Sequence, residues 1–399
     1  MIRQKWLAAL LGGALLAALA GCGAQGGGSS SVPNPPVSSA QSGNQSSSAN
    51  EADTGSQSSS AGGTDTTAFR MTQEGTVRNE KFREQEEFAD FIAAAESKFL
   101  IPGLNQAMTP QGITFSEETG LAYISSYAIV EIPSVISAVD LATGEQAAEY
   151  YLFNGDGTPF TSHVGGVAAA QGNLYVSAKL DNDGSYSIAV LPMDALPISG
   201  SHDITVEETI PLPVSPSFLN YSQGMLWVGN FYHPKGDYNL SKGMAFTTPT
   251  ADGESGCYIL GYDLSNGKLS IPEGEKYPVP AIVLVAPDKI QGMVALPDGQ
   301  NTTVWLSQSY GRGANSTLLS YQFSQEETPD TQIDVAGHDT GAYILDSKRQ
   351  TQAITAMPMT EGLCLSQEGG FLVLFESGSS RYSDGKYRTD HVWEMKPQG

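Results

Sequence analysis

Polar side chains of several kinds stand at the ends of short apolar runs along the chain. One group opens or precedes such runs: Gln111, His163, Ser217, Gln291 and Glu361. A second group follows the next run in each case: Tyr127, Lys179, Asn230, Tyr310, Arg312 and Glu376. Amide, carboxyl, imidazole, phenol and cationic groups that meet in one place can bind a polar organic ligand. Whether these groups meet depends on the elements that carry them.

The runs belong to a sequence pattern that occurs five times after Thr109. Each copy contains a strand that starts near Gly or another small residue, a tight turn, a second strand, a variable loop and a third strand. The copies start at Gln111, His163, Ser215, Gln291 and Thr360. Antiparallel strands that repeat at intervals of about 50 residues or more predict an all-β fold, a β-propeller in which each copy is one blade.

Five blades are the number that we expect from this pattern. A sixth blade is the alternative, if the segment AYILDSKRQTQAITAMP over 342–358 forms a blade of its own. A sandwich of two sheets would explain the strands but not the recurrence of one pattern at matched offsets.

The propeller geometry predicts where the polar groups lie. In each blade the first strand lines the channel and the second returns antiparallel beside it, so the start of one and the end of the other share a face. Long variable loops on a rigid scaffold usually carry binding residues, whereas the turns on the opposite face are short. The sequence therefore predicts a ligand site at the channel mouth, with these binding residues: Gln111, His163, Lys179, Asn230, Gln291, Tyr310 and Arg312.

The fourth copy also carries a resemblance to a known family. Gln291-Gly292, the segment Ser309-Tyr310-Gly311-Arg312-Gly313 and the following Ser316-Thr317-Leu318 are similar to the repeat of the glutamine cyclotransferases, five-bladed propellers that close an N-terminal Gln into pyroglutamate. Gln111-Gly112 repeats the leading pair, and Glu361-Gly362 is its Glu-Gly variant. The resemblance implies a carboxylate that moves a proton from the attacking amine to the leaving ammonia. Glu361 and Glu376 are the catalytic candidates.

A metal-dependent lactonase or esterase propeller is a second enzyme class to consider. Such a protein would hold calcium near the channel mouth, and Glu361, Glu376 and Asn230 have suitable side chains, although no spacing singles them out. The segments 154–158 and 181–185 open like calcium loops, but Gly165 and Pro192 stand where each loop needs its twelfth, acidic ligand. We predict no metal site and no cofactor.

The amino-terminal region has the pattern of an export signal. Arg3 and Lys5 precede an apolar run that ends in Leu-Ala-Gly-Cys22, which resembles a bacterial lipoprotein signal. We predict a signal peptide over 1–21, a lipidated Cys22 followed by a Gly/Ser-rich disordered tether to 67, a lead-in over 68–108 and the propeller over 109–399. Apolar residues spaced by three and four predict one amphipathic helix over 78–99. The expected location is the outer face of the bacterial cytoplasmic membrane.

The charge and the cysteine positions limit the kinds of partner and cross-link that we expect. The formal net charge of −23 argues against nucleic acid as a partner. Cys257 and Cys364 fall in blades that are not neighbours, so we expect no disulfide between them. The sequence predicts a monomeric cell-envelope lipoprotein whose propeller binds an unidentified small molecule, sugar, peptide or protein; the alternative is a propeller enzyme that uses a channel-mouth carboxylate.

Overall fold

The computed structural model describes residues 70–129, 132–179, 186–236 and 240–396. The predicted signal peptide, Cys22 and the tether lie outside these ranges, as does the segment 181–185. In the described part of the chain, no helix is long and apolar enough to cross a membrane.

Almost all regular structure in the described residues is β-strand. The strands are β1 Ala95–Leu100, β2 Thr109–Ser116, β3 Leu121–Tyr127, β4 Val135–Asp140, β5 Gln146–Asn154, β6 Val167–Ala170, β7 Asn173–Lys179, β8 Tyr186–Pro192, β9 Gly200–Val206, β10 Glu208–Leu212, β11 Phe218–Ser222, β12 Met225–Gly229, β13 Thr248–Thr250, β14 Gly253–Ser255, β15 Cys257–Asp263, β16 Ile282–Ala286, β17 Ile290–Asp298, β18 Asn301–Gln308, β19 Ser316–Phe323, β20 Thr331–Val335, β21 His338–Ile344, β22 Gln350–Ala356, β23 Thr360–Leu365, β24 Phe371–Phe375 and β25 His391–Met395. The α-helix is α1 Ala89–Ala94, and short 3₁₀ turns cover Lys81–Glu84, Glu86–Phe88, Leu104–Gln106, Met193–Ala195, Lys242–Met244 and Ser380–Tyr382.

Five sheets form the blades of the predicted propeller. Their strand orders are β2-β3-β4-β5-β9 in blade 1, β6-β7-β8-β10 in blade 2, β11-β12-β15-β16-β21-β20 in blade 3, β17-β18-β19-β22 in blade 4 and β23-β24-β25-β1 in blade 5. The first strand of each blade contacts the first strands of the next and the previous blade, and β23 contacts β2, which closes the ring. A separate hairpin, β13-β14, lies in the long insertion of blade 3.

No sixth blade is present among the described residues. The segment 342–358 is divided: β21 pairs in parallel with β16 at the outside of blade 3, and β22 pairs with β19 as the outer strand of blade 4. The extra strand material therefore widens two blades that already exist, and the propeller has five.

Glycine at the start of the inner strands allows these strands to approach closely. A Cβ added at Gly112 would lie 2.6 Å from the backbone nitrogen of Val167, and one at Gly292 would lie 2.6 Å from the carbonyl oxygen of Glu361. Real side chains do not tolerate such distances, so only glycine fits here. The recurring Gln-Gly and Glu-Gly pairs thus have a packing reason for their second residue.

The lead-in contains a shorter helix than the sequence predicts. Only α1 is helical, because the chain becomes the strand β1 at Ala95 and pairs antiparallel with β25. The aromatic residues behind the predicted helix periodicity, Phe82, Phe88 and Phe91, are fully buried, and all three pack in the core shared by blades 4 and 5. An amino-terminal strand therefore completes the carboxyl-terminal blade.

The hydrophobic core is divided among the interfaces between blades. Separate clusters fill the space between blades 1 and 2, 2 and 3, 3 and 4, 4 and 5, and 5 and 1. Cys257 on β15 and Cys364 on β23 are buried and unpaired, which confirms the expectation that they form no disulfide.

Candidate functional site

The channel opens into a pocket on the face predicted from the strand directions. The pocket has a volume of about 270 Å³. The structure brings together six predicted site residues in its wall: Gln111, His163, Gln291, Tyr310, Glu361 and Glu376. Three of them lie on inner strands, and the others lie in loops at the same end of their blades. One pocket thus collects residues from blades 1, 2, 4 and 5.

Irregularities in the inner strands turn the polar side chains toward the channel. The pairing of β2 with β3 slips between Pro110 and Gly112, so Gln111 has no partner in the register. The same slip occurs around Gln291 in blade 4, and a larger one spans Glu361 in blade 5. A bulge bends a strand and changes the direction of one side chain, and bulges are frequent beside functional sites.

Two carboxyl groups, those of Glu361 and Glu376, line the pocket. Glu361 is only 3% exposed, and its Oε1 accepts a hydrogen bond from Gln291 Nε2 at 3.4 Å. Glu376 accepts hydrogen bonds at Oε2 from Gln111 Nε2 at 3.0 Å and from the Tyr382 hydroxyl at 3.4 Å. Each carboxyl therefore has a neutral donor that fixes its orientation.

The burial and proximity of the two carboxyls change their protonation. Burial raises the pKa of Glu361 well above the usual range of glutamate, and the charge of Glu376 raises it further. Burial also raises the pKa of Glu376, although Tyr382, Arg381 and Gln111 act in the opposite direction by stabilising its charged form. The pair therefore holds a proton more easily than exposed glutamates do, and Glu361 is the member that is more strongly kept neutral.

A cation and two tyrosines form the wall beside the carboxyls. Arg381 Nη1 donates to the Tyr127 hydroxyl at 3.1 Å and to Thr109 Oγ1 at 3.3 Å. The Arg381 guanidinium lies 5.7 Å from the ring centre of Tyr127 and 5.2 Å from that of Tyr382, within the range of cation–π attraction. These contacts fix the position of the cation at the edge of the pocket.

His163 lies against the same wall. Its ring centre is 4.3 Å from that of Tyr127. The imidazole faces the pocket, but the packed wall beside it limits its hydration. This loss of hydration lowers the pKa of His163, and the positive charge of Arg381 lowers it further. The ring is therefore neutral at neutral pH and can accept or donate a hydrogen bond.

Aromatic side chains form the opposite side of the mouth. Phe231 and Tyr310 stack with ring centres 6.2 Å apart, and the ring of His233 meets that of Tyr310 edge-on at 4.5 Å. Tyr310 is 46% exposed although its ring is large. An open aromatic face of this kind can support the apolar side of a ligand ring.

Two predicted binding residues with described side chains, Arg312 and Asn230, do not line this pocket. Arg312 is at the rim, where its Nη1 pairs with Asp384 at 3.1 Å. Asn230 is buried: its Nδ2 donates to the carbonyl of Gly256 at 3.0 Å, and its Oδ1 accepts from the backbone nitrogen of Tyr258 at 2.7 Å. Asn230 therefore supports the backbone of blade 3. For Lys179, the structure describes the backbone at the end of β7 but not the side chain.

Arg381 is the important pocket residue that the sequence reasoning missed. It lies in the loop after β24, which also contains Glu376 and Tyr382. Its position five residues after Glu376, beside a tyrosine, was the available signal. Ser217, which precedes the inner strand of blade 3, also lines the pocket.

The geometry gives no support to a metal site in the pocket. Within the described ranges, the groups of three possible ligands that approach one another are Glu80 with Asp390 and His391, and Glu96 with Glu368 and Glu394. Neither group includes a residue of the pocket wall. The segment 154–158 is a turn closed by its own side chains, in which Asp156 accepts from the backbone and the hydroxyl of Thr158.

Comparison with known proteins gives only distant structural likenesses. No family model and no curated protein sequence matches the chain. The structure is similar to RS223 β-xylosidase, with a TM-score of 0.42 and 12% identity over 76% of this chain and 96% of that one. It is also similar to the GH43_1 enzyme from Xanthomonas citri complexed with xylose, with a TM-score of 0.39 and 14% identity over 78% of this chain and 93% of that one.

A third likeness covers less of its counterpart. The match to Kuenenia stuttgartiensis hydrazine synthase has a TM-score of 0.30 and 14% identity, and it spans 66% of this chain and 55% of that one. Scores this low carry no argument about the site.

Proposed function

We propose that the channel-mouth pocket is an active site in which Glu361 and Glu376 transfer a proton to and from a small polar substrate. The observation that supports this most is that two carboxyls, the buried Glu361 and the half-buried Glu376, line one open pocket and each accept a hydrogen bond from a glutamine. Burial raises the pKa of both. Two acids in this position reduce the stability of the fold, since burial disfavours their charged forms. Such an arrangement is common at active sites, where carboxyls with shifted pKa act as acids and bases near neutral pH.

The surroundings of the two carboxyls favour different roles. Glu361 is the more deeply buried and is the neutral acid that donates a proton to a leaving group. Glu376 lies nearer Arg381 and accepts from Gln111 and Tyr382, which favour its charged form, so it is the base. Gln291 and Gln111 orient the two carboxyls. A ligand must bind before this chemistry, and the aromatic side of the mouth provides that contact.

Cyclisation of an amino-terminal Gln is one reaction that fits these roles. It is favoured by the location of Gln291 and Tyr310, from the segment that resembles the cyclotransferases, in the pocket wall. In this reaction the substrate amine attacks the side-chain amide carbon, a C–N bond forms and the bond to the amide nitrogen breaks. Glu376 takes the proton from the amine, and Glu361 gives one to the departing ammonia.

Turnover by the purified protein tests the proposal. Peptides with amino-terminal Gln, and chromogenic glycosides and esters, are the substrates to compare. Glu361→Gln and Glu376→Gln should each lower kcat by about a hundredfold or more. Glu117 is an exposed glutamate in the turn between β2 and β3, at the end of blade 1 away from the pocket. Glu117→Gln is the matched control and should leave kcat unchanged. Activity that survives both pocket substitutions would show that the carboxyl pair is not the acid and base.

The location of the protein is a separate part of the proposal. We propose that Cys22 is lipidated and holds a monomeric propeller at the outer face of the cytoplasmic membrane, as its signal pattern predicts. Wild-type protein labelled with radioactive palmitate in the producing bacterium should remain with the membrane fraction, and Cys22→Ser should release it unlabelled. Equal labelling of Cys22→Ser would contradict the assignment.

A further inference from the structure

Arg381 is a cation of the pocket wall that forms no ion pair within the part of the chain that the structure describes. The arginine ion pairs there belong to Arg83, Arg312 and Arg349. Of the five N–H donors of the Arg381 guanidinium, only those of Nη1 have partners, and both partners are neutral hydroxyl oxygens. Several of its donors are therefore available to a ligand, and its charge, which also acts on Glu376, is not neutralised by a direct ion pair.

The loop that carries Arg381 is held firmly in place. Arg388 Nε donates to the carbonyl of Ser377 at 2.8 Å, and its Nη2 donates to those of Gly378 at 2.8 Å and Ser379 at 3.0 Å. The Ser379 side chain caps the 3₁₀ turn by accepting from the backbone nitrogen of Arg381. With its guanidinium also placed between two tyrosine rings, Arg381 is ordered before any ligand arrives, which lowers the entropy lost on binding.

The pocket wall combines a cation, two carboxyls and two amides. Arg381 and the Glu361–Glu376 pair line the same pocket, and burial favours the neutral form of Glu361. Gln111 and Gln291, which donate to the two carboxyls, also offer amide groups that suit hydroxyl groups. The aromatic pair Phe231 and Tyr310 supplies a flat apolar surface on the other side.

We propose that the substrate is a small polyhydroxylated carboxylate, such as a sugar acid, whose carboxylate pairs with Arg381 while its hydroxyl groups face the two glutamines and Glu376. This inference rests on the proposed function, because it names the substrate class of the same site. Arginine binds a carboxylate through two parallel N–H donors, and such charge-assisted hydrogen bonds are about twice as strong as neutral ones.

The whole chain gives an anion no general attraction, since its formal net charge is −23. Recognition of an acid must therefore come from a local cation. Arg312 at the rim does not meet this need, because Asp384 already pairs with it. A sugar acid is thus an alternative to the amino-terminal Gln peptide considered above, whose amine would meet the like charge of Arg381 at the same wall if it bound in its protonated form.

Binding of D-glucuronate and D-glucose to the purified protein tests the substrate class. The two sugars differ at one carbon, a carboxylate against a hydroxymethyl group, and sodium chloride keeps the ionic strength equal. We expect glucuronate to raise Tm and to shift the NMR signals of the His163 ring, with a Kd about tenfold or more below that of glucose. The chain has only five histidines, so His163→Gln assigns its signal.

Three arginine variants locate the effect. Arg381→Gln should lose at least tenfold in affinity for glucuronate but not for glucose, and Arg381→Lys should restore part of it. Arg83→Gln, which changes an arginine paired with Glu80 outside the pocket wall, is the control and should bind glucuronate as the wild type does. Circular dichroism and Tm without ligand establish that each variant is folded.

Several outcomes would overturn the inference. These are no response to glucuronate, equal responses to the two sugars, or full glucuronate binding by folded Arg381→Gln. The test is separate from that of the acid–base pair, since it measures binding and not turnover. If the inference fails while Glu361→Gln still abolishes turnover of another substrate, the proposed function stands and only the substrate class is wrong.

Discussion

Gln111 and Glu376 meet across the seam of the ring: the amide nitrogen Nε2 of Gln111 donates to Oε2 of Glu376 at 3.0 Å. Gln111 belongs to the inner strand of blade 1, and Glu376 follows β24 of blade 5. The first and the last copy of the repeat are therefore joined at the proposed acid–base pair. The contact between β23 and β2 that closes the ring thus also brings these two pocket residues together.

The pH dependence of stability should reveal the buried acid. Because the pKa of Glu361 is higher in the folded than in the unfolded chain, the folded protein keeps a proton that the unfolded chain releases. Its stabilising contribution is complete below the unfolded pKa, roughly 4.3, and is lost as pH rises toward the folded pKa. Glu361→Gln should therefore be more stable than wild type at pH 8, by about 1 kcal/mol or more, and about as stable as wild type at pH 4.

Urea unfolding at a series of pH values checks this. Glu117→Gln should follow the wild-type curve throughout, because Glu117 is exposed. A constant difference between Glu361→Gln and wild type over the whole range would mean that the carboxyl does not titrate above its usual pKa.

Arg388→Gln should disturb the site without touching its pocket. The substitution removes hydrogen bonds to three carbonyls of the loop between Glu376 and Arg381, so we expect a loss of about 1–3 kcal/mol in unfolding free energy. It should also raise KM or Kd for the pocket ligand, since Arg381 loses its support. Lys386→Gln, an exposed change in the same loop, should stay within about 0.5 kcal/mol. Unchanged stability and binding in Arg388→Gln would show that the loop holds its shape without this residue.

Phe91→Ala should weaken the packing of the lead-in against blades 4 and 5. The Phe91 ring is fully buried and lies 6.0 Å from that of Phe375 and 5.5 Å from that of Trp393, centre to centre. The cavity left behind should lower the unfolding free energy by about 3–5 kcal/mol, measured in urea. Asp90→Ala, an exposed change on the same helix, should cost less than about 1 kcal/mol. A small loss for Phe91→Ala would indicate that the lead-in contributes little to the propeller.

The two cysteines of the propeller should be unreactive in the native protein. Burial raises the pKa of both thiols, Cys257 and Cys364, so little thiolate is present at neutral pH. A thiol reagent should modify them only after unfolding, and mass spectrometry of the two peptides follows the modification. Rapid labelling of Cys364 in folded protein would contradict the position of β23 in the core.

The repeat explains why much of the fold could be predicted. One pattern at matched offsets determines the blades, and the directions of two antiparallel strands determine which face collects Gln111, Gln291 and Glu361. The same pattern does not reveal the bulges that turn these side chains into the channel. A bulge adds one residue to a strand but requires no particular amino-acid type, so it leaves no mark in the sequence pattern. The pattern also does not separate a residue that lines the pocket from one such as Asn230, whose side chain bonds the backbone of blade 3.

The lead-in shows a second limit of sequence reasoning. Aromatic residues spaced by three and four fit a long helix. In the structure, two 3₁₀ turns and the six-residue helix α1 bury the same residues instead. The change to a strand at Ala95 depends on β25, which lies almost 300 residues later in the chain and pairs with it. A local pattern cannot predict a conformation that a distant strand imposes.

The protonation state of Glu361 tests the central proposal most directly. Infrared difference spectra at pH 7 between wild type and Glu361→Gln should contain the C=O stretching band of a protonated carboxylic acid, present in wild type and lost in the variant. The difference between wild type and Glu117→Gln should lack it. If wild type has no such band at pH 7, or if the band persists in both Glu361→Gln and Glu376→Gln, the buried pair does not hold a proton and the acid–base assignment is wrong.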